Sequence, residues 1–308
     1  MKKILLIPAI AVVMCGCNEE VTRPDSLSII APTGAPAVAF YNYSEDSHFV
    51  TNSEPSNIVP LMLKGEKDVV VLPTNVGINA INNKKAPYKI AATITFGNVY
   101  VAKTGHDDDG VMDKDDYIVL FQQNSIPDLL FHSIYGDALN EGIHYVDTVS
   151  YAAQCLKTGK DVTRKNEAVD YVLIAEPAFT KVMGDKRESS FYVDIQKEYG
   201  IRYTTGIFQA SVFVNNNSDP KLIEDFLSCL KDDVKKGIAN PSLIKDGLAK
   251  NEKPGTFYGV EPELAEKVTK DGNRMGLGFE YAKDKKEAID NYLKIFNINE
   301  TSEEIYFK

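Results

Sequence analysis

Nothing in the 308-residue sequence is apolar for long enough to cross a bilayer: the clearest apolar run, residues 4–14, has eleven residues where a spanning helix needs about 20. Metal-binding patterns are missing as well. The four cysteines form no C-x-x-C pair, and the histidines His48, His106, His132 and His144 are scattered, so no metal site is indicated. No nucleophile stands beside a base, and the histidines lie outside the turns described below, which argues against an enzyme. Positive charge is in the minority, with 34 Lys+Arg against 44 Asp+Glu and a net charge of −10. Nucleic acid and anionic membrane surfaces are therefore poor partners for the folded part. What remains is a chain 44% hydrophobic and 25% charged, enough for about two core-bearing units.

The rest of the chain is organised around residues 69–81, VVVLPTNVGINAI. Residues 69–72 are apolar without a break, as in a strand buried on both faces of a parallel sheet. Pro73, Thr74 and Asn75 then make a turn with a ready N-cap, and Val76, Ile78 and Ile81 begin a helical stripe. A strand that feeds a capped helix leaves N–H groups pointing out at the carboxyl end of the sheet, where open α/β folds bind ligands.

The same pattern recurs along the chain. Residues 26–30 predict a strand, 31–36 (APTGAP) a turn and 37–41 a helix start. Residues 117–120 predict a strand that runs through Gln122–Asp128 into an apolar helix, with Asn124 or Ser125 as cap. Residues 168–173 predict a strand that ends in AEPAF, with Glu176 at its mouth. Between these, 57–63 read as a short helix, and 89–102 as a strand that bends at Gly97 and continues. Residues 143–146 and 190–195 read as strands, 148–156 as a helix, and 207–215 as a strand returning to the first unit. Helices are predicted at 220–237, 241–248, 262–269 and 284–296, outside a sheet. The acidic loop 105–116 places Asp107, Asp109, Gly110 and Asp116 at EF-hand offsets, but Gly105 holds the first ligand position and the last is Asp. It reads as a solvated loop and not as a calcium site.

At the N-terminus, Lys2 and Lys3 precede the apolar run, which ends in Met14-Cys15-Gly16-Cys17. This resembles a bacterial lipobox, with Met14 where leucine is usual and Cys15 where alanine or serine is common. Residues 1–16 are then a signal peptide, Cys17 the acylated (palmitate-bearing) N-terminus, and 17–25 a polar tether. Cys155 and Cys229 lie in separate helical stretches and read as two buried thiols.

Taken together, APTGAP, LMLKGEKDVVVLPTNVG, YKIAATITFGNVYVA and AEPAF resemble the substrate-binding proteins of bacterial ABC importers, in the nitrate, sulfonate and thiamine-precursor group. The resemblance covers roughly residues 26–300. It implies an α/β type 2 periplasmic-binding fold with two lobes, each a mixed sheet flanked by helices, joined by two crossover strands. Lobe one is expected at 26–104 and 208–300, lobe two at 105–207, and a C-terminal tail at 301–308. Ligand would lie between the lobes, which swing shut over it.

Carried over residue by residue, Thr33, Gly34 and Ala35 would offer backbone N–H groups. Thr74 and Asn75 would offer amide and hydroxyl contacts, with Asn98 at the bend, and Asn124 and Ser125 would do the same from the other lobe. Glu176 would face an amine or ring N–H, and Tyr41, Phe96 and Phe208 would stack on a planar ligand. The turns contain no Lys or Arg, and the second-lobe turn has less glycine and serine than sulfonate- or phosphonate-binding relatives, which weakens the case for an anion. The expected protein is a monomeric, lipid-anchored receptor on the outer face of the cytoplasmic membrane. It would use no cofactor and would pass a small neutral, cationic or zwitterionic solute to an ABC permease. The alternatives are an enzyme on the same fold acting on a pyrimidine-like molecule, and an adhesin or sensor that has lost its ligand.

Overall fold

The computed structural model describes residues 22–106 and 109–308. The acylation site Cys17 and Asp107 of the acidic loop lie outside the described residues. Eleven strands are described: β1 Ile29–Pro32, β2 Phe49–Asn52, β3 Val69–Pro73, β4 Tyr88–Thr95, β5 Val99–Lys103, β6 Ile118–Phe121, β7 Ile143–Val146, β8 Tyr171–Ala175, β9 Phe191–Asp194, β10 Ala210–Asn215 and β11 Leu277–Tyr281. They form two mixed sheets, ordered β11-β4-β10-β3-β1-β2 and β7-β6-β8-β5-β9. Helices flank both, so the architecture is α/β and two-lobed.

The two sheets are built on one plan. In each, three parallel strands (β2-β1-β3 and β7-β6-β8) are joined by an antiparallel strand that has just arrived from the other lobe, β10 in the first sheet and β5 in the second. The chain crosses between lobes at 96–98 and again at 204–209. Strand pairing corrects the expected boundary near 104. Residues 89–102 are not one bent strand but two, because β5 pairs with β8 and β9 and so belongs to the second lobe.

The elements follow from their sequences. β3 is buried along Val69–Leu72, which suits a run without polar alternation. The helix Pro220–Ala239 starts at Asp219, whose carboxylate accepts the Lys221 N–H at 2.8 Å, and it buries Ile223, Phe226, Leu227, Leu230 and Val234 on one face. Each of these fully buried side chains contributes roughly 1.5–3 kcal/mol. Two edge strands were not legible. β2 is only four residues long behind a polar turn, and β11 carries Gly278 where a Cβ would meet the Phe96 ring at 2.6 Å.

The lobes also touch through the C-terminal segment. Tyr199 of the second lobe's helix Ile195–Tyr203 meets Tyr292 of the helix Lys286–Leu293 edge-on at 6.2 Å, and the Thr205 hydroxyl donates to the Ala288 carbonyl at 3.3 Å. Residues 301–308 are docked, not a loose tail: the Phe307 N–H donates to the Ile90 carbonyl at 2.9 Å, and Thr301 and Tyr306 are buried. Cys155 and Cys229 form no disulfide.

Asp68 ties the first sheet's entry together. It accepts from the Ser28 N–H at 2.9 Å, the Ser28 hydroxyl at 2.7 Å and the Ser218 hydroxyl at 2.6 Å. Burial alone raises its carboxyl, but the bonds from Ser218 and Ser28 outweigh that and hold it below the ordinary value of 3.8. A depressed folded-state pKa contributes stability that is present above the unfolded value and lost as pH falls through the folded one. Asp68→Asn is therefore expected to lower the melting temperature at neutral pH, with the gap to the parent closing as pH drops below 3.8. Thermal melts across that range test this; a gap that persists unchanged in acid would contradict it.

Candidate functional site

Four strands, β1, β3, β6 and β8, end at turns that face one another across the space between the sheets. They enclose a cavity of about 950 Å³ lined from both lobes. Lobe one supplies 32–36, Asn75, Val76, Gln209 and Ala210, with 259–261 alongside. Lobe two supplies Phe121, Gln122 and 124–127, one flank of the helix Val149–Thr158, and 175–178 with Lys181 and Val182. Asn98 lines it from the first crossing.

Eight of the residues expected at the ligand line this cavity: Thr33, Gly34, Ala35, Asn75, Asn98, Asn124, Ser125 and Glu176. Thr74, Tyr41, Phe96 and Phe208 do not. Thr74 is fully buried behind the cavity, its hydroxyl 2.7 Å from that of Ser211, which in turn lies 2.9 Å from Thr93. Tyr41 sits under the helix Pro241–Leu248, and its hydroxyl donates to the Asp233 carbonyl at 2.9 Å. Phe96 and Phe208 pack edge-on against each other at 5.9 Å where the chain crosses between lobes. Proximity in sequence placed these aromatics at the turns, but their side chains fill core space. Phe121 is the one aromatic in the lining among the described residues.

The backbone donors expected of the turns are largely engaged. Gly34, held at φ 93, gives its N–H to the Tyr258 carbonyl at 2.7 Å, and Thr33 gives its own to Asn52 at 3.0 Å. Of the three residues in that turn, Ala35 alone keeps an N–H without a backbone partner. In lobe two, the Asn124 N–H donates to the Asp128 carboxylate at 2.7 Å, and the Ser125 N–H to the Gln122 carbonyl at 2.9 Å. Asp128 also accepts from the Tyr145 hydroxyl at 2.9 Å, and His132 lies 3.0 Å from the same hydroxyl. Burial and the bond to Asp128 raise the Tyr145 hydroxyl, so it stays protonated and donates. No side chain caps the helix after this turn; Asp128, in its first turn, instead holds the Asn124 N–H ahead of it, and Gln122 and Asn124 have positive φ at the cavity.

Glu176 differs most from expectation. Its carboxylate is fully buried and accepts from Arg187 Nε at 2.8 Å, from the Thr180 N–H at 2.9 Å and from the Thr180 hydroxyl at 2.7 Å. Arg274, from lobe one, adds its Nε at 3.3 Å. The charge is matched inside the protein, and the segment 175–178 meets the cavity with the carboxylate turned away into this cluster. A partner eleven residues downstream could not be seen from AEPAF alone.

Side-chain amides take the place left by charge and aromatics. Asn75, Asn98, Gln122, Asn124, Gln154 and Gln209 all line the cavity. The Asn75 Oδ1 and the Gln209 Oε1 are buried and have no hydrogen-bond partner. Charged groups enter the lining as exposed residues, Lys157, Lys181 and Glu261. Gln209 and the flank 149–157 were missed from sequence. The glutamine stood inside an expected strand, and Val149 and Ala153 look like any core-facing helix positions.

No family model matches the chain, and no curated protein matches it by sequence. Solved structures do share its fold. An ABC transporter protein from Parabacteroides distasonis superposes with a TM-score of 0.68 at 18% identity, covering 89% of this chain and 92% of that one. The periplasmic aliphatic sulphonate binding protein SsuA from Escherichia coli gives 0.60 at 11% identity, with 92% of each chain covered. The zinc-bound ligand-binding component of an ABC-type import system from Staphylococcus aureus gives 0.59 at 10% identity, covering 92% and 96%. The chain therefore has the two-lobed periplasmic binding protein fold, and its structural neighbours include a ligand-binding component of an ABC-type import system.

Proposed function

We propose that the chain is an extracytoplasmic solute-binding lipoprotein of an ABC importer, which captures a small organic solute between its lobes and delivers it to the permease. The observation that carries this reading is the 950 Å³ cavity, built where four strand ends converge from two sheets and lined by amides with unused hydrogen-bonding capacity. Its volume suits a small molecule. The binding proteins of similar fold support the transport role. The anchor is Cys17, the tether runs to residue 25, and the protein works as a monomer on the outer face of the cytoplasmic membrane.

A ligand held from both sides shifts the lobes toward their closed arrangement, which gives the permease a signal that the site is filled. Purified protein screened against a broad metabolite library is expected to show a clear rise in melting temperature with at least one compound. Ligand at a hundred times its Kd stabilises by about 2.7 kcal/mol. Native mass spectrometry of freshly purified protein should also find a small molecule retained in the cleft. If no metabolite stabilises the protein and none copurifies, the reading fails in favour of a domain that kept the fold without a solute.

A further inference from the structure

One side of the cavity is formed where two helices from different lobes approach each other. The helix Pro262–Lys270 of lobe one lines it through Leu264, and the helix Ala178–Met183 of lobe two through Ala178, Lys181 and Val182. The loop that leaves the first of these helices carries Arg274, whose side chain is only 11% exposed. Its guanidinium reaches three residues of the other lobe. One terminal nitrogen donates to the Glu188 carboxylate at 3.1 Å and the other to the Thr180 hydroxyl at 3.3 Å. Nε lies 3.3 Å from the Glu176 carboxylate, close enough for charge attraction but without hydrogen-bond geometry. Asp271, from the same loop as Arg274, pairs with it and sets its direction.

The charges explain why lobe two takes up this side chain. Within that lobe Arg187 serves both Glu176, at 2.8 Å, and Glu188, at 2.7 Å. Two carboxylates then share one guanidinium, and the second cation comes from lobe one. We propose that Arg274 is a latch between the lobes: it holds them together before any solute arrives, so that solute tightens a closure the free protein already samples. Opening carries Thr180 and Glu188 away from Arg274 and exchanges three contacts for water. Among the described residues the other ion pair between the lobes, Lys267 with Asp185 at 3.9 Å, joins two exposed side chains and contributes little. The inference goes beyond the solute-binding reading, and its test needs no solute, so either can fail alone.

Small-angle scattering of the purified protein, shown by native mass spectrometry to hold no small molecule, measures how far the lobes are spread. A compact chain of this length has a radius of gyration of about 19 Å. Arg274→Met should raise the radius by about 1 Å over the parent, and Lys267→Ala should leave it unchanged. Glu188→Gln removes one arm of the latch from a side chain that is 71% exposed, where substitution does not threaten folding, and should give a smaller rise in the same direction. The double variant Arg274→Met/Glu188→Gln should be no more open than Arg274→Met alone, because both changes break the same contact. If Arg274→Met fails to fold, Glu188→Gln decides the matter. A parent as extended as its variants, no rise for Glu188→Gln, or an equal rise for Lys267→Ala overturns the latch and leaves the solute-binding reading standing.

Discussion

Replacing Arg187 by methionine is expected to lower the stability of the protein by about 3–5 kcal/mol, because it leaves the buried Glu176 carboxylate short of its closest cation. The Arg187 side chain is 5% exposed and that of Glu176 not at all, with Nε and Oε1 2.8 Å apart. The guanidinium also lies over the Phe179 ring at 4.6 Å and the Tyr100 ring at 5.0 Å. Methionine can fill much of that space but supplies no charge. What would remain for Glu176 is Thr180, through its N–H and hydroxyl, and the more distant Arg274.

Urea unfolding of the parent and the variant measures the loss. Adding Glu176→Gln to Arg187→Met should restore part of it, since the double variant has no uncompensated charge. A single-variant loss below about 1 kcal/mol, in the range of an exposed pair, would show that the cluster is not a buried one. The consequence extends to function. Ala175–Ala178 lines the cavity directly above this ion pair, so ligand affinity should fall along with stability. Arg274 ties the same cluster to the other lobe through Glu188 at 3.1 Å and Thr180 at 3.3 Å.

Gly276→Ala is expected to be the most disruptive small change at the junction of the lobes. Gly276 has φ +67, and a Cβ built there would lie 2.0 Å from the Gly97 carbonyl oxygen. Its own carbonyl accepts the Phe96 N–H at 2.8 Å, immediately before the first crossing. Neither side of the contact is a flexible side chain, so the backbone itself must move. Left-handed strain and overpacking together should cost about 2–4 kcal/mol. Gly278→Ala provides the control. Its Cβ meets the Phe96 ring at 2.6 Å, and a ring can turn aside where a carbonyl cannot, so its loss should be smaller. Thermal melts rank the two, and small-angle scattering should show a changed lobe arrangement only for Gly276→Ala. Equal losses would sink the argument that backbone crowding governs the crossing.

Much of this architecture was readable before any coordinates. β3 emerged as an unbroken apolar run, 69–72, because a strand with both faces buried has no polar alternation. The turns at 31–36, 73–75, 122–128 and 174–178 were readable because proline, glycine and asparagine mark chain reversals through their own backbone preferences. Tyr41, Phe96 and Phe208 were placed wrongly, since an aromatic near a turn in sequence can equally point into a core. Glu176 does line the cavity, but its carboxylate is held by Arg187 and Arg274, which reach it only through the fold.

The sequence by itself determined most of the strands (though not the edge strands β2 and β11), the turns that follow them, and that the chain builds two α/β units with turns at their sheet edges. Those properties are local: they depend on burial pattern and backbone preference within a few residues. Only the tertiary structure decided that β5 and β10 exchange between sheets, that the Thr33 and Gly34 N–H groups are taken up by the Asn52 and Tyr258 carbonyls, and that Glu176 is paired with Arg187 and Arg274. Each of those depends on which distant atom takes up a given hydrogen bond. Hydrogen bonds between residues tens to hundreds of positions apart leave no local mark on the chain.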